Sequence, residues 1–326
     1  MKAIQFLGPK SNPQITLNPS YPDLPPPTGS QILIKVYSAG ITHDEINWPE
    51  VYKTTSHIPG HDVSGVITAL GPSYTGPLKV GDAVYAMLHV DRGQGQAEYV
   101  LVDGEEEEVV RKPGSLSHAQ AAALPIPVLT AWEALFVHAG EESLGKKKGT
   151  RVLVTGASGA VGLILVQLAR LKFGGGLDIV ALASEGNFER LRELGASECV
   201  DYKVPDWEEK VGKVDVVIDM AGGEVLAKAW EVVKSPGGVI VTVADPAPAW
   251  AFGKAVPEEL EMHPGVRAVY FVIGLNAEAL KEVGELIDLG KIKALPVVEF
   301  PVEKALDAWE FAGQRSRNGK VVINFV

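Results

Sequence analysis

The chain has a single cysteine, Cys199, in 326 residues. A lone thiol excludes an internal disulfide and any structural zinc site built from several thiolates. Its apolar setting, Cys199-Val200, predicts a small buried side chain. Positive charge is also scarce, with 30 Lys and Arg against 41 Asp and Glu and a formal net charge of -11. That balance excludes nucleic acid as a partner, because gripping phosphates takes clustered Lys and Arg. The dense basic run Lys146-Lys147-Lys148 falls in a turn before a strand and reads as a solvated loop. Long apolar runs are missing: none approaches the roughly 18 residues that a membrane span needs. The opening run Met1-Lys2-Ala3-Ile4-Gln5-Phe6 reads as a strand, without the apolar stretch and cleavage site of a secretory leader. A cytoplasmic location is the expectation.

What is present is the composition of a globular protein, 46% hydrophobic and 22% charged. The length suffices for two domains, each with its own core. The first third is β-rich: Ile32–Val36 and Val63–Ile67 carry β-branched residues between Gly and Pro punctuation. Lys79–Tyr85 has the turn-then-strand form of a hairpin in a small barrel. The run Glu105 to Glu108 reads as a solvated hairpin tip. Residues 115–140 turn Ala-rich and helical, as at a hinge. From 151 to 274 strands alternate with helices, with strands expected at 151–156, 179–184, 198–202, 214–219, 238–243 and 267–273. Helical stretches lie between them at 160–173, 187–194 and 224–233. Six strands with intervening helices define a doubly wound parallel sheet. The remaining tail, with a helix over 277–289, a strand over 295–300, a helix over 303–312 and a strand over 320–324, is too short to stand alone and must join an existing domain.

The chemistry is concentrated in Gly156-Ala157-Ser158-Gly159-Ala160-Val161-Gly162. This loop follows the strand Arg151–Thr155 and opens a helix, the context that makes such glycine spacing informative. Small residues at 156, 157 and 159 let the backbone approach a pyrophosphate, and Gly162 lets the helix pack closely on the strand. The free N–H groups and the positive end of the helix dipole then face the phosphates. A tight βα turn without a ligand would use the same residues, but not within six strands in this order. The end of the second strand bears on NAD against NADP, since an acidic residue there takes the ribose 2′-hydroxyl in NAD-selective folds. Here Ser184 can hydrogen-bond a 2′-phosphate, which favours NADPH over NADH. Glu185, if turned inward, would reverse the preference.

The order of motifs resembles the medium-chain dehydrogenase/reductase superfamily, and within it the zinc-free quinone oxidoreductase branch. The resemblance runs through Ala39-Gly40-Ile41-Thr42-His43-Asp44, Pro59-Gly60-His61-Asp62-Val63-Ser64-Gly65 and Val80-Gly81-Asp82-Ala83-Val84. It continues through Ala97-Glu98-Tyr99-Val100, Ala121-Ala122-Ala123-Leu124-Pro125, Leu129-Thr130-Ala131-Trp132, the glycine loop, Glu193-Leu194-Gly195-Ala196, Asp201-Tyr202 and Gly319-Lys320-Val321-Val322. It implies an α/β protein in which a GroES-like β-rich substrate domain (1–122 and 278–326) is interrupted by a Rossmann dinucleotide-binding domain (123–277), with the active site in the cleft. It implies an oxidoreductase that passes hydride from NADPH to the activated C=C of an enone or enal, or to a quinone, and a homodimer is common among such proteins.

By the same resemblance Ser184, Tyr202 and Arg315 hold the ribose phosphate, with Arg317 as a rival. Asn187 stands where a Lys is usual. Thr130 joins Gly156, Ala157, Ser158, Gly159, Ala160 and Val161 in the cofactor set. Near the nicotinamide, Thr42 replaces the usual Asn, while Asp44 matches. Tyr52 is the favoured donor to the substrate carbonyl or enolate; alternatively it packs against substrate and water supplies the proton. His43 and His61 are weaker candidates. For zinc, Thr42 and Pro127 occupy two of the ligand positions of the metal-dependent relatives. That leaves His61 alone, and one imidazole does not make a zinc site. Two other readings remain. One is a biosynthetic or trans-acting enoyl reductase for a bulky polyketide-like substrate, with Asp245-Pro246-Ala247-Pro248-Ala249-Trp250-Ala251-Phe252 either lining a pocket or packing between domains. The other is an NADPH-binding scaffold or non-redox catalyst on the same fold.

Overall fold

The chain divides into two units, Met1–Leu129 with Gly274–Val326, and Thr130–Ile273. The computed structural model describes residues 1–48, 53, 56–105, 107–145, 148–253, 258–314 and 317–326. The first unit opens with β1 (Ala3–Leu7), β2 (Gln14–Asn18), β3 (Ile32–Gly40), β4 (Ser56–His57), β5 (Asp62–Leu70), β6 (Ala83–Met87), β7 (Tyr99–Val102) and β8 (Val109–Arg111). The second holds β9 (Thr150–Val154), β10 (Leu177–Ala183), β11 (Glu198–Asp201), β12 (Val216–Asp219), β13 (Val239–Thr242) and β14 (Arg267–Tyr270). The chain then returns to the first unit with β15 (Val297–Pro301) and β16 (Lys320–Asn324).

In the first unit one sheet runs β15-β16-β3-β5-β6-β8, with β7 also on β3, and a smaller sheet runs β2-β1-β4. β3 carries the pattern that such a position demands: Ile32, Ile34 and Val36 are buried and alternate with less buried neighbours. One edge of β3 is shared, with Ile32–Lys35 on β7 and Ser38–Gly40 on β16. The C-terminal tail therefore completes this sheet instead of forming a domain of its own. The division of the chain also falls later than 122/123. Ala119, Ala122 and Ala123 cluster with Val322 of β16, and the Ile126 N–H donates to Asp62 on β5, which ties these residues to the first unit.

The helix Ala305–Ala312 docks through Trp309, which is buried edge-on against Phe6 at 4.9 Å. Its indole N–H donates to Gln96 Oε1 at 2.9 Å inside the core. A buried donor and acceptor that satisfy one another make this contact costly to break. The Glu105–Glu108 run departs from the solvated tip expected of it. Glu108 is fully buried, accepting from the His89 N–H at 2.6 Å and pairing with Arg92. Only partners outside the run could pull a carboxylate inward, and the run itself carries no sign of them.

In the second unit the six strands stand in the order β11-β10-β9-β12-β13-β14, every neighbouring pair parallel. Apolar strands such as β10 and β13 are buried along their length, as a sheet covered on both faces requires. From β9 the chain builds outward through β10 and β11, then crosses back to start β12 on the other side. The topological switch point thus lies between β9 and β12, the place where such folds bind ligands beyond the carboxyl ends of the strands. Trp207 and Trp230 anchor the core on one flank, and Trp250 packs against the same cluster. Trp207 belongs to a helix, Trp207–Val211, too short to show a period in the sequence. Cys199 is half-buried rather than enclosed, with Sγ 3.7 Å from the Phe188 carbonyl. Two of the residues in the Lys146–Lys148 run lie outside the described residues, and Lys148 is exposed.

Replacing Trp309 by Phe keeps an aromatic ring but strands the Gln96 carbonyl and leaves a void. Chemical denaturation of Trp309→Phe is expected to show a loss of about 2–3 kcal/mol. A loss below about 0.5 kcal/mol would mean that the indole bond contributes nothing net.

Candidate functional sites

The glycine loop leaves β9 at its carboxyl end. Gly156 takes φ +59°, a left-handed turn that residues with a Cβ rarely adopt. The Ala157 N–H donates to the Leu182 carbonyl at 3.3 Å, tying the loop to β10. The helix Ala160–Phe173 starts after Gly159, an N-cap with no side chain to accept its first N–H groups. Those groups, on Ala160, Val161 and Gly162, also lack intrahelical acceptors by helix geometry. The helix sits hard on the loop: a Cβ at Gly162 would lie 2.5 Å from the Ala157 carbonyl oxygen. Ser158, Ala160 and Val161 are half-buried and Gly159 is exposed, so part of this N-terminus is open to solvent. The residues fit a pyrophosphate. Thr130 belongs to the same unit and is buried.

The ends of β10 and β11 lie next to each other. Ala183 pairs with Asp201, so Ser184 and Tyr202 leave the sheet side by side. Asn187 Nδ2 donates to Ser184 Oγ at 2.9 Å, which leaves the Ser184 hydroxyl proton to point elsewhere. Tyr202 is 46% exposed, and the Lys203 ammonium stands 5.9 Å from its ring centre. Glu185 is exposed in the turn Glu185–Asn187. Lys203 brings a cation to these strand ends, where relatives of this kind usually have a Lys in the place of Asn187. Arg315 lies outside the described residues, and the Arg317 guanidinium donates to the Gln314 carbonyl at 2.8 Å.

In the first unit the sequence candidates meet a buried charge cluster. The Lys320 ammonium donates to Thr42 Oγ at 2.9 Å and stands 3.3 Å from Asp62 Oδ2. Asp62 also accepts the Ile126 N–H at 2.7 Å. Asp44 does not join this cluster. The short 3-10 turn His43–Asn47 leaves Asp44 exposed, 3.9 Å from His43, and turns Glu45 fully inward. Glu45 accepts the Gly60 N–H at 2.8 Å and lies 3.3 Å from His61 Nδ1, an ion-pair distance without hydrogen-bond geometry. Tyr52 lies outside the described residues.

His61 Nε2 is 3.1 Å from the Val90 carbonyl, which can only accept, so that nitrogen carries a proton. Nδ1 then faces the Glu45 carboxylate, where a second proton is favourable. Burial is the largest single influence and opposes this charge, but Glu45, the Val90 carbonyl and Asp62 together overcome it and hold His61 above its ordinary value. Burial likewise pushes Asp62 up, against the pull of Lys320. His61 Nε2 is committed to Val90, and neither Thr42 nor Pro127 brings the remaining nitrogen a thiolate or carboxylate partner at the ligand positions of the metal-dependent relatives. Among the described residues no group of three or more His, Cys, Asp or Glu is placed to hold one. The donor set does not fit zinc.

Residues 28–126 match the family described as alcohol dehydrogenase GroES-like domain, and residues 194–323 match the one described as zinc-binding dehydrogenase. The chain is 34% identical over 304 residues to the probable zinc-binding oxidoreductase, mitochondrial, of Arthroderma benhamiae, covering 89% of this chain and 87% of that protein. It is 36% identical over 310 residues to the 2-methylene-furan-3-one reductase of Solanum lycopersicum, covering 90% and 71%. Among solved structures it is similar to the quinone oxidoreductase from Coxiella burnetii, at TM-score 0.81 and 28% identity over 100% of this chain and 99% of that one.

A GroES-like unit joined to a doubly wound Rossmann unit defines a nicotinamide-dependent oxidoreductase. The chain belongs to the medium-chain dehydrogenase/reductase superfamily, on its quinone oxidoreductase-like side.

The His61 charge gives a pH signature. Its folded value is raised, so the stability it contributes is complete below its unfolded value of about 6.5 and is lost as pH rises through the folded value. The melting-temperature advantage of the wild type over His61→Gln is therefore expected to be largest at about pH 6 and to shrink toward pH 9. An advantage that grows with pH would show that His61 is buried neutral.

Proposed function

We propose that this chain uses NADPH, without a metal, to reduce the activated C=C of an enone or enal, or a quinone. The reading is carried by the uncapped helix N-terminus behind Gly156–Gly159, on a chain whose relatives include a furanone reductase and a quinone oxidoreductase. When bound, the nicotinamide supplies hydride. The protein's part is to hold and polarise the acceptor. Thr42 suits that part: its oxygen already accepts from Lys320, so its own proton is free to point at a substrate carbonyl. Tyr52 is proposed as the proton donor to the developing enolate. Zinc independence is supported by Thr42 and Pro127, which stand at two of the ligand positions of the metal-dependent relatives and leave His61 without their thiolate or carboxylate.

The preference for NADPH rests on Ser184, Tyr202 and Lys203 at adjoining strand ends. A serine hydroxyl, a phenol and an ammonium offer hydrogen bonds and charge to a phosphomonoester. Glu185 is exposed, and among the described residues no hydrogen bond or ion pair turns its carboxylate inward. A bulky polyketide-like substrate gains little support. Of the aromatic groups in 245–252, Trp250 is committed to the core of its own unit, and Phe252 stands edge-on to Tyr270 at 5.1 Å.

NADPH absorbance followed with a quinone, a 2-enal, a 2-enoyl thioester and a saturated ketone tests the reaction. Consumption is expected with the quinone and the enal, at a rate unchanged after dialysis against a chelator. Tight NADPH binding with no consumption by any acceptor would point instead to a scaffold or non-redox role. Consumption confined to the thioester would favour an enoyl reductase, and loss of rate on chelation would restore a metal.

Lys203→Ala tests the cofactor preference separately. It is expected to raise KM for NADPH about tenfold and leave that for NADH within about twofold. An equal change in both would remove Lys203 from the 2′-phosphate.

A further inference from the structure

Asp219 is fully buried at the last position of β12, and no cation pairs with it among the described residues. Four neutral donors hold it instead. Thr155 Oγ donates to Oδ1 at 2.5 Å and Thr242 Oγ to Oδ2 at 2.7 Å. The Ala221 N–H donates to Oδ1 at 3.2 Å, and the Gly222 N–H lies 3.2 Å from both oxygens. Each threonine oxygen in turn accepts a backbone N–H, Thr155 from Met220 at 3.2 Å and Thr242 from Ala244 at 3.1 Å. A buried carboxylate is expensive to desolvate, and neutral hydrogen bonds alone offset that cost only when nearly every lone pair is used. Here they nearly are.

The placement gives this network a functional sense. Thr155 directly precedes Gly156, the first residue of the glycine loop. Asp219 ends β12, on the far side of the switch point from β9. The bond between them spans the crevice mouth where doubly wound folds bind their ligand. Met220 backbone atoms, held by the Thr155 hydroxyl, would lie 3.4 Å from a Cβ at Gly156, so the β12 exit backs directly onto the loop. Thr242 ties the same carboxylate to β13, one strand further from the loop.

We propose that Asp219 is a positioning residue for the dinucleotide: through Thr155 it sets the glycine loop at the spacing from the β12 exit that pyrophosphate binding requires. The inference rests on the dinucleotide reading above and adds to it a residue that touches no cofactor atom. Because the pyrophosphate is common to both cofactors, the effect is the same for NADPH and NADH. The Thr242 arm supports the sheet but does not reach the loop.

Dissociation constants for NADPH and NADH, measured on the full chain by tryptophan fluorescence alongside thermal unfolding, test this. Thr155→Val is expected to weaken both cofactors about tenfold and by the same factor, while Thr155→Ser restores wild-type affinity. Thr242→Val, with a similar loss of melting temperature, is expected to weaken each by no more than about twofold. Asp219→Ala combined with Thr155→Val should bind no more weakly than Asp219→Ala alone, since both remove one linkage. If Asp219→Ala does not fold, the three threonine variants decide. Wild-type affinity in Thr155→Val, or equal losses in both valine variants in step with stability, would overturn the proposal. A wild type that binds neither cofactor would overturn the dinucleotide reading itself, and the inference with it.

Discussion

At Gly162 the helix that follows β9 meets the glycine loop backbone to backbone, and a single added methyl would stand 2.5 Å from the Ala157 oxygen. That approach brings the helix N-terminus to the carboxyl edge of the parallel sheet. Any side chain there would push the helix outward, and the N–H groups of its first turn would no longer converge on one point. The left-handed turn at Gly156 and the bare N-cap at Gly159 serve the same end. Together they make an anion site from backbone alone, so the site carries no net charge of its own and suits a ligand that brings the charge with it.

The first unit follows the opposite strategy. Glu45, His61, Asp62 and Lys320 are all buried, in an order that sets each charge against an opposite one. Such pairs add little stability when intact but cost about 3–5 kcal/mol when one partner is removed. Their value is in fixing groups that would otherwise rotate. The Thr42 hydroxyl is the case in point: as an N-cap residue it makes no capping bond, and Lys320 takes its oxygen instead. The two units thus differ in kind, the second offering a helix N-terminus set by backbone geometry and the first a hydroxyl oriented by buried charge.

How much of this is legible in the sequence follows from the range of the contacts. The glycine loop is local: strand, turn and helix are consecutive, and 160–173 reads as a helix with the bounds observed. The parallel strands show because burial on both faces leaves long apolar runs. Glu45 is hidden, because whether Asp44 or its neighbour turns inward depends on the Gly60 N–H, 15 residues away. Lys320 meets Thr42 across 278 residues and Asp219 meets Thr155 across 64, and no spacing rule connects either pair. Glu108 misleads in the same way: in a run of acids it has the pattern of a solvated tip, and Arg92 with the His89 and Asp103 N–H groups makes it core.

The account centres on direct hydride delivery from a nicotinamide held by the Gly156–Gly162 loop. NADPH deuterated at nicotinamide C4, reacted with a 2-enal, tests it most directly by mass and NMR analysis of the product. The account predicts one deuterium on the β-carbon of the saturated aldehyde, with the α-carbon taking its proton from solvent. A saturated product without deuterium at the β-carbon, or NADPH oxidised with no reduced organic product, would contradict it.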